Sequence, residues 1–302
     1  VIARSISEPL FHFAVVADDS DEGITHVIRG EDHISNTPRQ ILIQEALGVP
    51  RPIYAHIPLI LAPDKSKLSK RRHGASVGDL RQEGFLPEAI INFLGLLGWN
   101  PGDDRELYTL SELMETFSLD GVQKSGAVFN EEKLKWFNRE YLKQLAPKEQ
   151  VKEIAQRFAA AGKEIDTALA TRLAPSATER IATWQEVETA VREGEWDYVF
   201  TAPSPDPQNL TWKDSTPEDT RKHLSWAEKA LSELSEASYG DLEAIKAALW
   251  TYAEEQGKGA VLWPLRYALT GKDKSPDPFT VAYIIGKDAT VERIKSALEL
   301  IA

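Results

Sequence analysis

The sequence contains no cysteine. Disulfide staples, thiolate nucleophiles and cysteine-ligated zinc are therefore excluded within the chain. Any metal would fall to carboxylates or histidine. The six histidines (His12, His26, His33, His56, His73 and His223) show no HExxH-like spacing, so neither a structural metal nor zinc is expected. Long apolar runs are missing too. The longest, residues 13–17 and 57–62, fall far short of the ~20 residues that a membrane-crossing helix needs. With no signal-peptide pattern at its start, the chain is expected in the cytoplasm, away from membranes. Positive charge is scarce: 35 Lys and Arg against 47 Asp and Glu give a net charge of −12. That excludes coating nucleic acid by bulk charge and leaves room for a local basic patch.

What is present is a chain of 302 residues, about twice the usual domain length, with ordinary globular composition. Val1 is not an initiator residue and an apolar run follows almost at once, so the chain reads as the middle of a larger protein. Residues 11–17 and 25–29 read as strands joined by a polar turn over 18–23. Ser35, Asn36 and Thr37 followed by Pro38 signal a helix start, and Gly48 closes that helix after about three turns. Residues 53–61 read as a further buried strand, completing an α/β unit.

A dense basic loop follows, with five cations in the eight positions from Lys65 to Arg72. Lys67 and Lys70, with Ser69 between them, suit a phosphate whose charge grows as it departs. A solvated charge run or a nonspecific RNA patch is the other reading of the loop. Beyond residue 76 helical periods dominate, over 87–97, 110–117, 131–145 and 148–161. After Pro147 the chain becomes rich in Ala, Glu and Lys, with helices predicted over 177–192, 217–236, 241–256, 260–270 and 289–301. Prolines at 203, 205, 207, 276 and 278 read as breakers. The eight tryptophans read as core filling in preference to a base-stacking platform.

Lys67-Leu68-Ser69-Lys70-Arg71 resembles the KMSKS-type signature of class I aminoacyl-tRNA synthetases, in its KLSKR form. Gly23-Ile24-Thr25-His26-Val27-Ile28-Arg29-Gly30-Glu31-Asp32-His33, Ser35-Asn36-Thr37-Pro38-Arg39-Gln40 and Pro264-Leu265-Arg266-Tyr267-Ala268-Leu269-Thr270-Gly271 are similar to the bacterial-type glutamyl-tRNA synthetase family, in that family's order. The resemblance covers essentially the whole chain. It implies an α/β partial Rossmann-type catalytic domain followed by mainly α-helical stem-contact and all-α anticodon-binding domains, over residues 1–80, 81–146 and 147–302.

It further implies a glutamate-tRNA ligase that activates glutamate with ATP and its magnesium and transfers it to tRNA, acting as a monomer. Lys67, Ser69 and Lys70 would sit over the ATP phosphates, with Lys70 stabilising the departing pyrophosphate. Arg29 matches the arginine that pairs with the amino-acid carboxylate; a surface salt bridge is its alternative. Phe11 stands where the family has a substrate-holding tyrosine, so a hydroxyl is missing. Asp32 and His33 would lie near the adenosine, and Leu59 and Ile60 would line the adenine pocket or serve only as strand core. Arg180, Arg266, Ser275, Pro276 and Pro278 match positions that hold the anticodon; a helix-surface charge is the alternative for Arg180. No His-x-Gly-His motif occurs. The chain is accordingly expected to be a C-terminal portion, inactive alone, because groups that act as a unit are not additive. A truncated, non-catalytic relative that binds tRNA or a protein partner is the rival reading.

Overall fold

The computed structural model describes residues 1–68, 76–213 and 215–301. The chain divides into two compact units, Val1–Tyr141 and Leu142–Ala302.

In the first unit, β1 (Ala3–Ser5) and β2 (Glu8–Pro9) form a short antiparallel pair. Helix α1 (Phe11–Asp21) follows. This corrects the expectation of a strand over 11–17. A short apolar run does not distinguish strand from helix, and here the amides of Phe13 and Ala14 both bond to the Leu10 carbonyl, at 2.9 and 3.1 Å. The acidic residues expected to form a turn continue the helix, which buries Val16.

Strand β3 (His26–Gly30) pairs in parallel with β4 (Ile53–Ile57), setting Arg29 opposite His56. Parallel strands need a crossover. It consists of a 3-10 turn (Glu31–Asn36) and α2 (Thr37–Leu47), which has Pro38 in its first turn and Gly48 in the left-handed conformation at its end. The strand expected over 53–61 is two: after Pro58, β5 (Ile60–Leu61) pairs in parallel with β6 (Ala127–Val128). Helices α3 (Val77–Gln82), α4 (Pro87–Leu96), α5 (Leu110–Thr116) and α6 (Glu131–Gln144) complete the unit. Their core is Leu80, Phe85, Ala89, Ile90, Phe93, Leu134 and Phe137. Each large side chain there contributes about 1.5–3 kcal/mol by burial. Buried Asn92 fixes the chain around it, its Oδ1 accepting from the Tyr108 amide and the Tyr141 hydroxyl.

The second unit is helical: α7 (Pro147–Ala160), α8 (Thr167–Arg180), α9 (Trp184–Arg192), α10 (Asp197–Phe200), α11 (Pro207–Leu210), α12 (Pro217–Glu233), α13 (Leu242–Gln256), α14 (Lys258–Thr270), α15 (Pro278–Ile285) and α16 (Lys287–Leu300). The single helix predicted over 177–192 is two. Ile181 turns extended, and the Ala182 amide donates to Glu186 at 2.8 Å. Helix α8 begins earlier than expected, capped by Asp166, and carries Pro175 in its interior. Pro278 does not merely break the pattern; it opens α15 behind an Asp277 cap. Core filling describes Trp99, Trp184 and Trp196, which are buried, whereas the other five tryptophans are only half-buried.

Candidate functional site

Arg29 projects from β3 into a cradle made by α2 and β4. Its Nη2 donates to Thr37 Oγ1 at 2.8 Å and to Gln40 Oε1 at 2.7 Å, while Nε faces His56 Nε2 at 3.5 Å. The guanidinium lies over the Tyr54 ring at 5.2 Å, and the Tyr54 hydroxyl accepts from buried Gln44 at 2.9 Å. Every one of these partners is uncharged in its ordinary form or carries no negative charge, and no carboxylate lies within ion-pair distance of Arg29 among the described residues. The salt-bridged alternative for Arg29 therefore has no support. The positive charge remains available to an anionic ligand, and neutral contacts fix its direction.

Asp32 stands on the 3-10 turn that follows β3. Lys67 Nζ donates to its Oδ2 at 2.6 Å. That hydrogen bond and the lysine charge hold the Asp32 carboxyl below the ordinary carboxylate range, against a smaller opposing desolvation. Two local features permit the pairing. A Cβ on Gly30 would come within 2.6 Å of Asp32 Oδ1, so any other residue there would displace the carboxylate from its place beside Lys67. Downstream, Lys65 adopts a positive φ of 64° in a turn closed by the Ala62 amide and the Ser66 carbonyl, which brings Lys67 back beside Leu61. His33 shares a 3.0 Å hydrogen bond with Asn36, and its ring lies 6.0 Å from that of Phe11. Phe11 itself is exposed in the first turn of α1. Leu59 and Ile60 line an apolar cleft of about 330 Å³ with Ile28, Ile57 and Trp99. Ser69 and Lys70, with Arg71 and Arg72, lie outside the described residues.

In the second unit, Arg180 is exposed at the end of α8. It lines a cleft of about 420 Å³ with Arg172, Ser176, Pro276, Asp277 and Tyr283. Ser275 turns its hydroxyl to the Pro276 carbonyl, and Pro278 is buried in the first turn of α15. Arg266 lies on α14, away from that cleft's lining. Its Nη2 donates to the Asp273 carbonyl at 2.6 Å, and its guanidinium sits 4.7 Å above the Trp263 ring. Burial pushes the Arg266 pKa below its ordinary value.

The structure thus gathers Arg29 with Thr37, Gln40 and His56, and Asp32 with Lys67. It also gathers Arg180 with Pro276. It does not bring Arg180 and Arg266 into one cleft. Gln40, Tyr54 and Arg172 carried no role in the sequence reading, and Trp212 and Trp263, read there as core filling, are half-buried. The one signal for Gln40 was its spacing of three from Thr37, which places both on one face of α2.

Comparison with known proteins defines the class. Residues 1–136 match the family of class I tRNA synthetases (E and Q), catalytic domain, and residues 130–298 match the anticodon binding domain family. The chain therefore belongs to the class I aminoacyl-tRNA synthetases, in the branch in which that catalytic domain is joined to a helical anticodon-binding domain. Its relatives there are glutamate-tRNA ligases. The one from Desulforamulus reducens is 38% identical over 319 residues, covering 99% of this chain and 62% of the relative. That from Thermodesulfovibrio yellowstonii is 39% identical, covering 99% and 64%. The crystal structure of a glutamate tRNA ligase from Elizabethkingia meningosepticum in complex with its amino acid superposes with a TM-score of 0.82 at 32% identity, over 100% of this chain and 62% of that one. The chain thus spans a little over three-fifths of the length of the relatives it matches. Among the described residues no helix is long and apolar enough to cross a membrane.

Proposed function

We propose that this chain is the C-terminal portion of a glutamate-tRNA ligase that works in the cytoplasm as a monomer, and that the portion alone is inactive. In the whole enzyme the glutamate carboxylate attacks the α-phosphorus of ATP, giving glutamyl-adenylate and releasing pyrophosphate. A terminal ribose hydroxyl of the tRNA then attacks the acyl carbon, and AMP leaves. The observation that supports this reading is the neutral cradle of Arg29, whose contacts occupy Nε and Nη2 and leave a fixed, uncompensated guanidinium charge suited to a carboxylate.

Phe11 flanks the amino-acid site. Asp32, His33, Leu59 and Ile60 face the adenosine, and the ATP enters with its magnesium. Lys67, Ser69 and Lys70 meet the phosphates. Lys70 has the transition-state role, so Lys70→Ala lowers turnover more than it weakens ATP binding. Lys67 exchanges its Asp32 partner for phosphate oxygens. Residues 1–80 act as catalytic region, 81–146 as stem contact and 147–302 as anticodon reader, with Arg180, Arg266, Ser275, Pro276 and Pro278 at the anticodon.

The test is glutamate charging of tRNA by the native gene product. Arg29→Ala is expected to raise the KM for glutamate by about 10- to 100-fold, the worth of a charge-assisted hydrogen bond. Charging unaffected by that change would contradict the assignment, and absence of any glutamate-dependent charging would favour a non-catalytic tRNA-binding relative.

A further inference from the structure

Thr37 sits at the centre of the Arg29 cradle, and the hydrogens available around it fix the state of its neighbour His56. A threonine hydroxyl has one hydrogen to give. The Thr37 oxygen accepts from Arg29 Nη2 at 2.8 Å, and it stands 3.3 Å from the His33 carbonyl and 3.0 Å from His56 Nε2. Arg29 Nε, which always carries a hydrogen, faces the same Nε2 at 3.5 Å. A hydrogen on Nε2 would set two N–H groups against each other. With Nε2 bare, the Arg29 Nε–H and the Thr37 hydroxyl can both donate to it, so the arrangement selects the neutral imidazole that carries its hydrogen on Nδ1.

The rest of the cradle serves the same end. Both hydrogens of Arg29 Nη2 are committed, to Thr37 Oγ1 and to Gln40 Oε1. Gln40 is buried and its Nε2 meets no partner among the described residues, so the amide is turned to give its oxygen to the guanidinium while its own donor goes unmet. The Tyr54 ring lies 5.2 Å from the guanidinium and nearly parallel to the His56 ring, at 5° and 6.5 Å. With Nε and Nη2 occupied, Nη1 keeps its two hydrogens for a ligand.

We propose that His56 is a positioning residue of the amino-acid site: its neutral form offers Nε2 as the acceptor that fixes Arg29 Nε, and protonation of the ring removes that acceptor and turns the guanidinium away from the glutamate carboxylate. Glutamate capture is thereby tied to the charge on His56. The groups facing the ring are Arg29 from β3, Thr37 from α2 and Tyr54 from its own strand β4, and among the described residues no carboxylate pairs with it. A protonated ring therefore leaves Arg29 with a like charge where it had an acceptor. A side chain kept only to fill space would be replaced equally well by an apolar one. The inference rests on the reading of Arg29 as the partner of the glutamate carboxylate.

The test has two arms. In the 302-residue protein, nitrogen-15 NMR of the imidazole rings is expected to show uncharged His56 with its hydrogen on Nδ1 and none on Nε2. The Arg29 Nε–H resonance is expected to move as His56 titrates, and to stay put over the same range in His56→Gln, whose side-chain oxygen can accept near the place of Nε2 and takes up no proton. In the whole enzyme, His56→Ala is expected to raise the KM for glutamate about ten-fold with little change in kcat, and His56→Gln to recover most of that loss. The wild-type KM should rise as pH falls through the His56 titration seen by NMR, and that of His56→Gln should not follow it. Should His56→Ala fail to fold on thermal melting, His56→Gln and the NMR arm decide. A hydrogen on Nε2 of the uncharged ring, an Arg29 resonance indifferent to the titration, or one glutamate-KM pH profile shared by the wild type and His56→Gln would, with charging intact, overturn the proposal alone. A whole enzyme that charges no glutamate would overturn the ligase reading and the proposal with it.

Discussion

Charge on a side chain acts according to what surrounds it, and two clusters in the first unit show opposite uses. Around Arg29 the partners are a hydroxyl, an amide, an imidazole and a ring, so the guanidinium is oriented without being neutralised. Sequence could nominate Arg29 by its motif, but not Gln40 as its partner, because that pairing needs the crossover to lay α2 against β3. Glu112 is the contrasting case. It pairs with Arg105 and accepts from the Thr109 hydroxyl at 2.9 Å, and these bonds, Arg105's the largest, depress its pKa from 4.5 to about 2. A depressed carboxylate contributes stability that is present above its unfolded pKa and lost as pH falls towards its folded one. The contribution should therefore disappear between about pH 4.5 and 2. Carbon-13 NMR titration of the Glu112 carboxyl is expected to show it, with Arg105→Ala moving the midpoint upward. An unmoved midpoint would remove Arg105 as the cause.

Elements declare themselves unevenly. Helix α12 is legible because Pro217 stands at its start and an apolar face follows, and α2 because Pro38 lies in its first turn and Gly48 ends it, although Asn36 makes no side-chain cap bond. Helix α1 is not: residues 11–17 satisfy either period, and hydrogen bonds back to Leu10 decide the outcome. Pro175 and Pro264 lie inside helices although proline normally ends them, since buried neighbours such as Leu173 and Leu265 hold the backbone in place at the cost of a bond. Helix α12 allows a direct measure of capping. Thr216 Oγ1 accepts from the Asp219 amide, and Asp219 Oδ2 accepts from the Thr216 amide and hydroxyl. Thr216→Ala is expected to cost about 1 kcal/mol in urea denaturation. No change in the midpoint would show that tertiary packing of Leu224 and Leu231 alone sets the start of this helix.

For the molecule as a whole, an excess of acid over base coexists with RNA recognition only if positive charge is concentrated where the RNA lies. The sequence shows one such concentration openly, the loop from Lys65 to Arg72. Phosphate contacts are tolerant of sequence and fall steeply with salt; base readout depends on the anticodon. The most direct measurement is therefore equilibrium binding, at moderate salt, of a glutamate-accepting tRNA and of the same tRNA with a swapped anticodon. The account expects a clear preference for the former. Arg266→Ala should erase that preference, and replacement of Lys67, Lys70, Arg71 and Arg72 by alanine should leave it intact. Equal binding of the two tRNAs, or loss of binding on changing the loop alone, would contradict it.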